Sequence, residues 1–597
     1  MEITGNHFKE SLPEETVQNL LEILRSLNIE TQEVVPYKSK INTNSLRVVF
    51  KGTNIGTNGK GVNEAYCRAS AYAEFFERFQ NNYLNPYPRN NDDDEYDFKQ
   101  FPDEVYLTSE ELVNQDDPFL NHFFEEQGLS SACFEKKVEL FASINVPDKN
   151  DRYLCLPFYN VSRKTVQYLP ARLLYLAYGT NGMVAGNTFA EAVVQGLSEI
   201  VERLVQKELI VNPQSLPTVP DEYIKNFRYV YDIYLKAKEL KGYKVIMKDC
   251  SLGGKYPVAG LLIIEEGTGR FGLKLGSHPN FGVAMERTLT EATQGGDLTD
   301  YAQRSFVDFT NRTVVNKNNI MNSFATGLAQ YPYQVLIDDQ YSKFVECNSH
   351  SDKNHDFMNE LFNTFSSESY EILIRDNSWL GFPSYHIVIP GLSEVNDLSE
   401  RSIRLHNTIK FVMNLFKEPE KISENDCRYI IATINQFKGN VLLDNMKYFF
   451  PYSFQELPYG NGPLSTRYLV ALCDVYCGNI QGAVEKFKIP QGANLFNTIS
   501  ELDKKRYTAE IIYLSSLLEL GTHDKAMAYM KLLLSPEMYK LIDDIYREPK
   551  KILSNVYSKY ASVNENKESK LMTRINYILR EHMSKANIQQ VEIGEKI

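Results

Sequence analysis

The sequence has no cysteine pair that would bind zinc and no long hydrophobic run. Its eight cysteines are scattered over 597 residues, with no Cys-x-x-Cys pair and no histidine at zinc-ligand spacing. We therefore expect reduced thiols, and we expect Cys473 and Cys477 to pack in a helical core. A basic, apolar N-terminal leader and any stretch of about 18 uninterrupted apolar residues are also missing. These absences predict a soluble cytoplasmic protein that does not enter a membrane.

The chain also has fewer basic than acidic residues. The chain has 64 Lys and Arg against 77 Asp and Glu, a net charge of −13 at pH 7, and we find no local basic patch. A nucleic-acid backbone is therefore not expected as a direct partner. The composition, with 43% hydrophobic and 24% charged residues, is that of an ordinary globular protein.

A Glu-x-x-Glu-Arg pattern ends two similar segments of the chain. In the first segment, at about 100° per helical residue, Ser70, Glu74 and Glu77 lie within about 60° of one another. The rest of this helix is small or aromatic on nearly every side, which is typical of a buried helix. Because unpaired buried carboxylates cost several kcal/mol each, we expect cations beside them. A lattice of Arg–Glu ion pairs on a solvated face is the alternative.

The second copy forms a longer acidic stripe. Glu191, Gln195, Glu199 and Glu202 lie at about 0°, 40°, 80° and 20° around a helix. Glu191 also has a structural alternative, because Thr188-x-x-Glu191 satisfies the capping-box pattern.

A glycine-rich segment precedes each copy. The segment 56–61, Gly-Thr-Asn-Gly-Lys-Gly, is predicted to be a turn between a strand at 46–50 and the first motif helix. It resembles a phosphate cradle with Lys60 near a helix N-terminus, although an ordinary tight turn is the alternative. It is not a Walker A loop, because the spacing is too short and Gly61 stands where Ser or Thr would bind magnesium. A glycine-containing turn at 180–187 repeats this layout.

A third helix adds to the polar set. It follows strand-like segments at 257–265 and 271–276, and it places Arg287, Glu291 and Gln294 on one face. An exposed i,i+4 ion pair is the alternative for Arg287 and Glu291.

The composition changes along the chain. Residues 85–150 are proline-rich, acidic and aromatic, and they predict a peripheral insertion in an α/β (α+β) core over 1–395 that is built from repeated strand-turn-helix units. From about 400 the pattern is helical throughout, and two units with similar turns at Gly478 and Gly521 predict an all-α tetratricopeptide-like domain over 400–597. We expect that domain to serve docking or dimerisation.

Five of the carboxylates, if brought together, would repel one another and raise some of their pKa values unless divalent cations neutralise them. All-oxygen ligation suits magnesium, which prefers to be completed by substrate phosphates. An acidic cage beside Lys60 and Arg203 therefore predicts a nucleotide triphosphate bound through magnesium. The five are Glu74, Glu77, Glu191, Glu199 and Glu202.

At this point the sequence resembles the YcaO family, ATP-dependent proteins that activate a peptide amide oxygen. The resemblance covers roughly residues 1–395, and the helical tail is similar to that of a family member that does not form azolines. The motifs that carry it are 57–61, 70–78, 181–187, 191–203, 251–254, 256–257, 278–279, 281–284 and 286–288.

What the resemblance implies is a magnesium-ATP site without a P-loop. Val184 stands where the family's namesake carries serine, so a hydroxyl contact from that position would be lost. The implied magnesium ligands are Glu74, Glu77, Glu199 and Glu202, with Glu191 and Glu291 as additions. The implied nucleotide contacts are Lys9, Thr16, Ser70, Asn187, Gln195, Arg203 and Arg287.

The resemblance also implies a reaction. In the family an amide oxygen attacks the γ-phosphate of ATP and a nucleophile adds to the amide carbon, which gives an azoline, thioamide or amidine. Azoline-forming members typically end in a Pro-x-Pro-x-Pro tail that completes their active site, whereas 590–597 have no such pattern. Azoline formation is therefore disfavoured.

The remaining expectation is an accessory role. The resemblance implies a homodimer that assists a radical methylthiotransferase, which modifies an aspartate of a ribosomal protein. The chain has no iron–sulfur motif, so a partner must perform the methylthiolation. Two alternatives stay open: formation of a thioamide or another backbone modification on a peptide substrate, and a nucleotide-gated scaffold without catalysis.

Overall fold

The structure is a computed structural model in which two compact units are distinguished. The first unit takes in the described residues up to Glu400 together with Ile575–Ile597, and the second lies within Arg401–Arg574. The predicted division into 1–395 and 400–597 did not include the return of the C-terminal tail to the first unit. The described residues are 7–84, 101–326, 329–337, 343–437, 446, 457–460, 462–488, 499–558 and 567–597.

The first unit begins with a helix and a small sheet. Helix α1 (Pro13–Ser26) precedes three antiparallel strands, β1 (Thr31–Lys38), β2 (Asn44–Phe50) and β3 (Gly56–Gly61), in the order β1-β2-β3. Helix α2 (Glu64–Gln80), which carries the first motif, follows directly.

Strand β3 corrects the predicted turn at 56–61. A Cβ atom added at Gly59 would lie 2.4 Å from Cβ of Ala71, and one at Gly61 would lie 2.5 Å from the backbone N of Cys67. Side chains at these positions would therefore push α2 off the strand. The glycines serve close helix–strand packing rather than a reversal of the chain.

The other elements of the first unit alternate between strands and helices. Residues 101–150, the described part of the predicted insertion, supply an edge strand and bury aromatic rings such as Phe119 and Phe123. In chain order the elements are β4 (Val105–Leu107), α3 (Ser109–Val113), α4 (Pro118–Glu126), α5 (Phe134–Ile144), β5 (Tyr153–Asn160), β6 (Thr165–Pro170), α6 (Ala171–Tyr178), β7 (Met183–Ala185), α7 (Phe189–Val211), α8 (Asp221–Ile224), α9 (Arg228–Lys238), β8 (Tyr243–Asp249), β9 (Val258–Glu265), β10 (Arg270–Ser277), α10 (Phe281–Ala292), α11 (Leu298–Tyr301), β11 (Ser305–Phe306), α12 (Lys317–Thr326), α13 (Asn354–Ser367), β12 (Leu373–Asp376) and β13 (Ser384–Val388).

These strands form two further antiparallel sheets. One has the order β4-β5-β12-β13-β7 with β6 also paired to β5, and the other has the order β11-β10-β9-β8. Helix α7, which carries the second motif, packs in one hydrophobic core with both sheets: Leu197 belongs to the same buried cluster as Leu275 of β10 and Ile387 of β13. The fold of this unit is therefore mixed α/β, with α2, α7 and α10 each following a strand.

The C-terminal tail packs against the six-stranded sheet. Lys596 Nζ lies 2.7 Å from Asp376 Oδ2, and Gln590 Nε2 donates to the carbonyl of Asp376 at 2.9 Å. A Cβ atom at Gly594 would lie 2.5 Å from the hydroxyl of Tyr159, so the tail approaches β5 closely.

The second unit contains helices and, within its described residues, no strand. The predicted turns at Gly478 and Gly521 have positive φ, at 80° and 77°, as a helix end of this kind requires. Helix α22 (Lys567–Met583) contains the sequence boundary between the units, and α23 (Ile593–Lys596) belongs to the first. The helices of the second unit are α14 (Glu400–Leu415), α15 (Glu424–Phe437), α16 (Pro463–Tyr476), α17 (Ile480–Phe487), α18 (Glu501–Leu520), α19 (His523–Leu533), α20 (Pro536–Tyr546) and α21 (Ile552–Tyr557).

The described residues bear on the cysteines and on the apolar helices. All eight cysteines lie within the described ranges and are free thiols, with Cys473 buried in the core of the second unit. Across the described part of the chain, the search for membrane-spanning helices finds none of sufficient length and apolar character.

Candidate functional site

One cavity of about 1010 Å³ in the first unit collects the predicted site residues. The described residues of the tail beyond 574 contribute none of its lining. All fourteen predicted residues line it: Lys9, Thr16, Lys60, Ser70, Glu74, Glu77, Asn187, Glu191, Gln195, Glu199, Glu202, Arg203, Arg287 and Glu291.

Helix α2 presents one acidic wall of the cavity. Arg78 contacts a carboxylate oxygen of Glu77 and lies 3.8 Å from Oε1 of Glu74. Burial raises the pKa of Glu77 to about 8 and also raises the pKa of Glu74, because Arg78 offsets only part of the lost hydration. One arginine therefore serves two carboxylates on this wall.

Helix α7 presents the opposite acidic stripe with a different pairing. Arg203 donates to Oε1 of Glu199 at 2.7 Å, and its guanidinium lies 5.9 Å from the ring centre of Phe324. Glu202 pairs with a lysine instead: its Oε1 lies 3.6 Å from Nζ of Lys274 on β10. Burial raises the pKa of Glu202, and Lys274 opposes that shift.

Glu191 sits at the first turn of α7, where only the Thr188 half of the predicted capping box forms. The hydroxyl of Thr188 accepts a hydrogen bond from the backbone N–H of Glu191, as a helix cap does. The carboxylate itself points elsewhere: it accepts from Lys9 Nζ at 3.2 Å, from the N–H of Glu10 at 2.9 Å and from the amide of Asn187 at 3.1 Å. Although burial raises its pKa, these donors outweigh the effect and hold the pKa below its ordinary value.

The segment around the start of α1 completes this corner. Thr16 donates from its hydroxyl to Oδ1 of Asn187 at 2.8 Å, so Lys9 and Thr16 both reach the second motif region across a long sequence distance. Val184, by contrast, is fully buried in β7 against the backbone of Gly196, where a Cβ would lie 2.6 Å from Cγ1 of the valine.

Helix α10 supplies a carboxylate between two lysines. Oε1 of Glu291 lies 2.5 Å from Lys60 Nζ, and Oε2 lies 3.4 Å from Lys274 Nζ. Burial acts to raise the pKa of Glu291, but the two lysines outweigh it and hold the pKa well below its usual range. Arg287, one turn earlier, donates to the carbonyl of Ser277 at 3.0 Å.

The carboxylates of the cavity are of the kind that magnesium prefers, but in this structure they are paired with basic side chains. Among the described residues, no three histidine, cysteine, aspartate or glutamate side chains converge closely enough to hold a metal ion. The donor set is nevertheless all carboxylate oxygen, which hard divalent cations prefer. A cation entering the cavity would compete with Arg78, Arg203 and Lys274 for these oxygens.

Sequence reasoning missed Lys274, and it gave no separate role to Arg78 or to Glu286. Lys274 carries the one charge in the run Phe-Gly-Leu-Lys-Leu-Gly over 271–276. A charged residue inside an apolar strand indicates a buried partner of opposite charge, so this run was sufficient to predict an acidic partner for Lys274. The partner could not be identified, because Glu202 and Glu291 are far away in sequence.

The fold and the cavity define a mixed α/β protein with an acidic, cation-lined pocket between repeated strand–helix units. A family model described as "YcaO cyclodehydratase, ATP-ad Mg2+-binding" matches residues 58–393. This match covers more than half of the chain, and the chain therefore belongs to the YcaO family.

Two curated relatives match over part of their length. The chain is 31% identical over 353 residues to the ribosomal protein S12 methylthiotransferase accessory factor YcaO of Escherichia coli. It is 30% identical over 345 residues to an uncharacterised protein of Haemophilus influenzae. Each match covers 57% of this chain and spans 57% of the relative.

Solved structures give weaker likenesses. A heterocyclase in complex with substrate and cofactor is 19% identical, with a TM-score of 0.45 over 65% of this chain and 53% of that one. YcaO from Methanopyrus kandleri bound with AMPPCP and Mg²⁺ is 16% identical, with a TM-score of 0.38 over 66% of this chain and 94% of that one.

Proposed function

We propose that this chain binds magnesium and ATP in the cavity and couples ATP hydrolysis to activation of a peptide amide oxygen. The observation that supports the proposal is the meeting of two Glu-x-x-Glu-Arg helices and Lys60 around one cavity. A phosphate group carries negative charge, so acidic walls can hold it only through cations. The basic side chains on the walls mark the positions at which positive charge offsets the carboxylates.

Within this proposal the chain's residues divide into two groups. Glu74, Glu77, Glu199 and Glu202 would hold magnesium, with Glu191 and Glu291 as further candidate ligands. The other group would contact the nucleotide and orient it: Lys9, Thr16, Lys60, Ser70, Asn187, Gln195, Arg203 and Arg287.

Bound magnesium-ATP would supply the phosphoryl group for the amide oxygen and neutralise the charge that develops on it. The protein's own contribution would be positioning and electrostatic stabilisation. Arg78 and Arg203 would orient Glu77 and Glu199, and Lys9 and Thr16 would fix Asn187 and Glu191 at the edge of the cavity.

The proposed biological role is that of an accessory factor to a ribosomal-protein methylthiotransferase, by analogy with the Escherichia coli relative. A cytoplasmic homodimer whose second unit is tetratricopeptide-like and docks partner proteins belongs to the same proposal. Mass spectrometry of ribosomal protein S12 from cells with and without this chain tests the role. Loss of a methylthio group without the chain would support it, and loss of a thioamide from another protein would replace it with the backbone-modification alternative.

The cavity assignment is tested with Glu199→Gln in the full chain. Glutamine keeps the shape but removes the charge, so we expect binding of a fluorescent ATP analogue in the presence of Mg²⁺ to weaken about 100-fold or more. Glu208→Gln is the matched control, because Glu208 lies on the same helix and accepts from Asn212 at 2.8 Å outside the cavity. Wild-type affinity in Glu199→Gln would refute the metal-ligand assignment.

A further inference from the structure

Lys274 is a charged residue in the middle of a buried strand. In β10, Phe271, Leu273 and Leu275 belong to the hydrophobic core, while Gly272, Lys274 and Gly276 alternate with them. Residues two apart on a strand share a face, so Lys274 stands between two glycines. A Cβ at Gly272 would lie 2.5 Å from the carbonyl O of Tyr301, and one at Gly276 would lie 2.5 Å from that of Ala284. The backbone around the lysine is therefore closely packed on both sides.

The lysine lies between two carboxylates that come from different helices. Its Nζ is 3.6 Å from Glu202 Oε1 on α7 and 3.4 Å from Glu291 Oε2 on α10. The side chains of all three residues are only about 15% exposed, at 14%, 15% and 15%. One ammonium group that is covalently part of the chain thus lies within ion-pair distance of two carboxylates from different helices.

The pairing continues to the other wall of the cavity. The second oxygen of Glu291 lies 2.5 Å from Lys60 on β3. Lys60, Glu291, Lys274 and Glu202 thus form a row of alternating charge that joins β3, α10, β10 and α7. Both oxygens of Glu291 are occupied by lysines, whereas the contact with Lys274 uses only one oxygen of Glu202.

We infer that Lys274 takes the place of a divalent cation between Glu202 and Glu291. The residue is a positioning residue: it neutralises the two carboxylates before any ligand arrives and fixes Glu291 so that Glu291 in turn holds Lys60. Glu291 is thereby held between Lys60 and Lys274, and a metal ion that binds Glu291 must displace one of these lysines. The inference rests on the proposed function in taking the cavity as a site for divalent cations.

The test removes the built-in cation and asks whether a metal ion replaces it. Lys274→Met keeps the length of the side chain and deletes its charge. In the metal-free full chain without nucleotide, we expect the melting temperature to fall by about 4 °C or more, because Glu202 and Glu291 lose their shared partner. Added Mn²⁺ should restore most of the loss, and electron paramagnetic resonance should count an additional bound Mn²⁺ relative to the wild type.

Three further variants separate this role from a general packing role. Lys244→Met is the matched control, since Lys244 is an exposed strand lysine 3.9 Å from Glu266, and it should change neither the melting temperature nor the Mn²⁺ count. Lys274→Arg keeps the charge and should not gain an ion. Glu202→Gln combined with Lys274→Met removes the repulsion, so it should fold without metal even if the single variant does not, and the gain of Mn²⁺ should vanish.

Several results would overturn the inference. A melting temperature in Lys274→Met that equals the wild type, or a loss that Mn²⁺ does not restore and that brings no additional ion, means that Lys274 does not replace a cation. Because the readouts use no nucleotide, they are independent of the Glu199→Gln experiment on the proposed function.

Discussion

Each unit of the chain places a glutamate beside an arginine four residues away, yet the two pairs have different surroundings. In the second unit, Glu510 on α18 is 0% exposed and accepts hydrogen bonds from Arg506 at 2.8 Å and from the hydroxyls of Tyr468 and Tyr546 at 3.1 Å each. Arg506 also donates to Tyr468 at 2.9 Å. This carboxylate is enclosed by donors that belong to the core.

In the first unit, Glu199 and Arg203 form the corresponding pair on α7. Glu199 is 25% exposed, Arg203 contacts it at 2.7 Å, and both side chains line the cavity. The partners of Glu199 thus leave part of the carboxylate open to a space large enough for a ligand.

The comparison teaches that an Arg–Glu pair at helical spacing does not by itself indicate a function. Where the other donors close around the carboxylate, the pair is structural, and removing one member leaves a buried charge. Where the same pair faces a cavity and other carboxylates lie nearby, an incoming cation can bind the carboxylate in place of the arginine. The two situations are separated by measuring stability and ligand binding in parallel.

The largest effect is expected at the closed pair. Glu510→Ala leaves Arg506 and two tyrosine hydroxyls without their common acceptor, so we expect the second unit to lose about 4 kcal/mol of unfolding free energy. Denaturant unfolding followed by circular dichroism measures the loss. Nucleotide binding below the melting transition should stay unchanged, because the first unit contains the whole cavity.

A control on the same helix makes this prediction specific. Glu501→Ala removes an exposed carboxylate near the start of α18 that pairs with Lys504 at 2.6 Å, and it should leave the denaturant midpoint close to that of the wild type. If Glu510→Ala costs no more than Glu501→Ala, the enclosed carboxylate is not structural and the comparison fails.

A smaller difference is expected between the two arginines of the cavity. Arg78 pairs with both Glu74 and Glu77, whereas the ion pair that Arg203 makes within the described residues is with Glu199. We therefore expect Arg78→Ala to cost about 3 kcal/mol in the metal-free protein and Arg203→Ala about 1 kcal/mol.

Thermal unfolding with and without Mg²⁺ measures this difference. Added Mg²⁺ should recover more stability in Arg78→Ala than in Arg203→Ala, because two carboxylates rather than one are left without their arginine. Equal losses of stability for the two variants, or no recovery with Mg²⁺ in either, would contradict this prediction. Arg78 would then stabilise the carboxylates of its wall no more than Arg203 does.

The helices of the site were within reach of sequence reasoning because their signals are local. The stripes on α2, α7 and α10 follow from residue spacing alone, and the structure brings all of their predicted residues to one cavity. The segment 56–61 was predicted as a turn, since glycine favours turns, but it is a strand whose glycines are required for the close approach of α2. That requirement depends on a helix that comes later in the chain.

What remained out of reach depends on contacts between distant residues. The pairing of Lys274 with Glu202 and Glu291 needs the register of β10 and the positions of two helices. The return of the tail depends on Lys596 and Asp376, 220 residues apart, which no local pattern connects. Periodicity therefore identified which residues share a helix face, but not which charges meet.

Glu286 is a third kind of buried carboxylate, intermediate between the closed and the open pair. It lines the cavity, but its Oε2 is buried without a hydrogen bond among the described residues and lies 3.3 Å from Nδ1 of His7. Burial raises the pKa of Glu286 to about 8, with Arg287 and Lys9 opposing the shift. Burial, together with Lys9, lowers the pKa of His7 to about 4. At neutral pH the two groups therefore form an uncharged pair, in which the protonated carboxyl can donate to the imidazole.

This pair predicts the sign of a pH dependence. Because the folded pKa of Glu286 is raised, its contribution to stability is complete below the ordinary value of 4.5 and is lost as the pH rises through about 8. The contribution of His7 to stability changes with pH in the opposite direction, but only below its ordinary pKa of 6.5. Between pH 6.5 and 8, wild type should therefore lose up to about 1.4 kcal/mol per pH unit relative to Glu286→Gln, which holds no titrating proton. Denaturant midpoints across this window measure the difference, with the exposed Glu239→Gln as the control that keeps the wild-type slope. Parallel profiles for wild type and Glu286→Gln would mean that Glu286 is already ionised at neutral pH and is stabilised by the cations of the cavity.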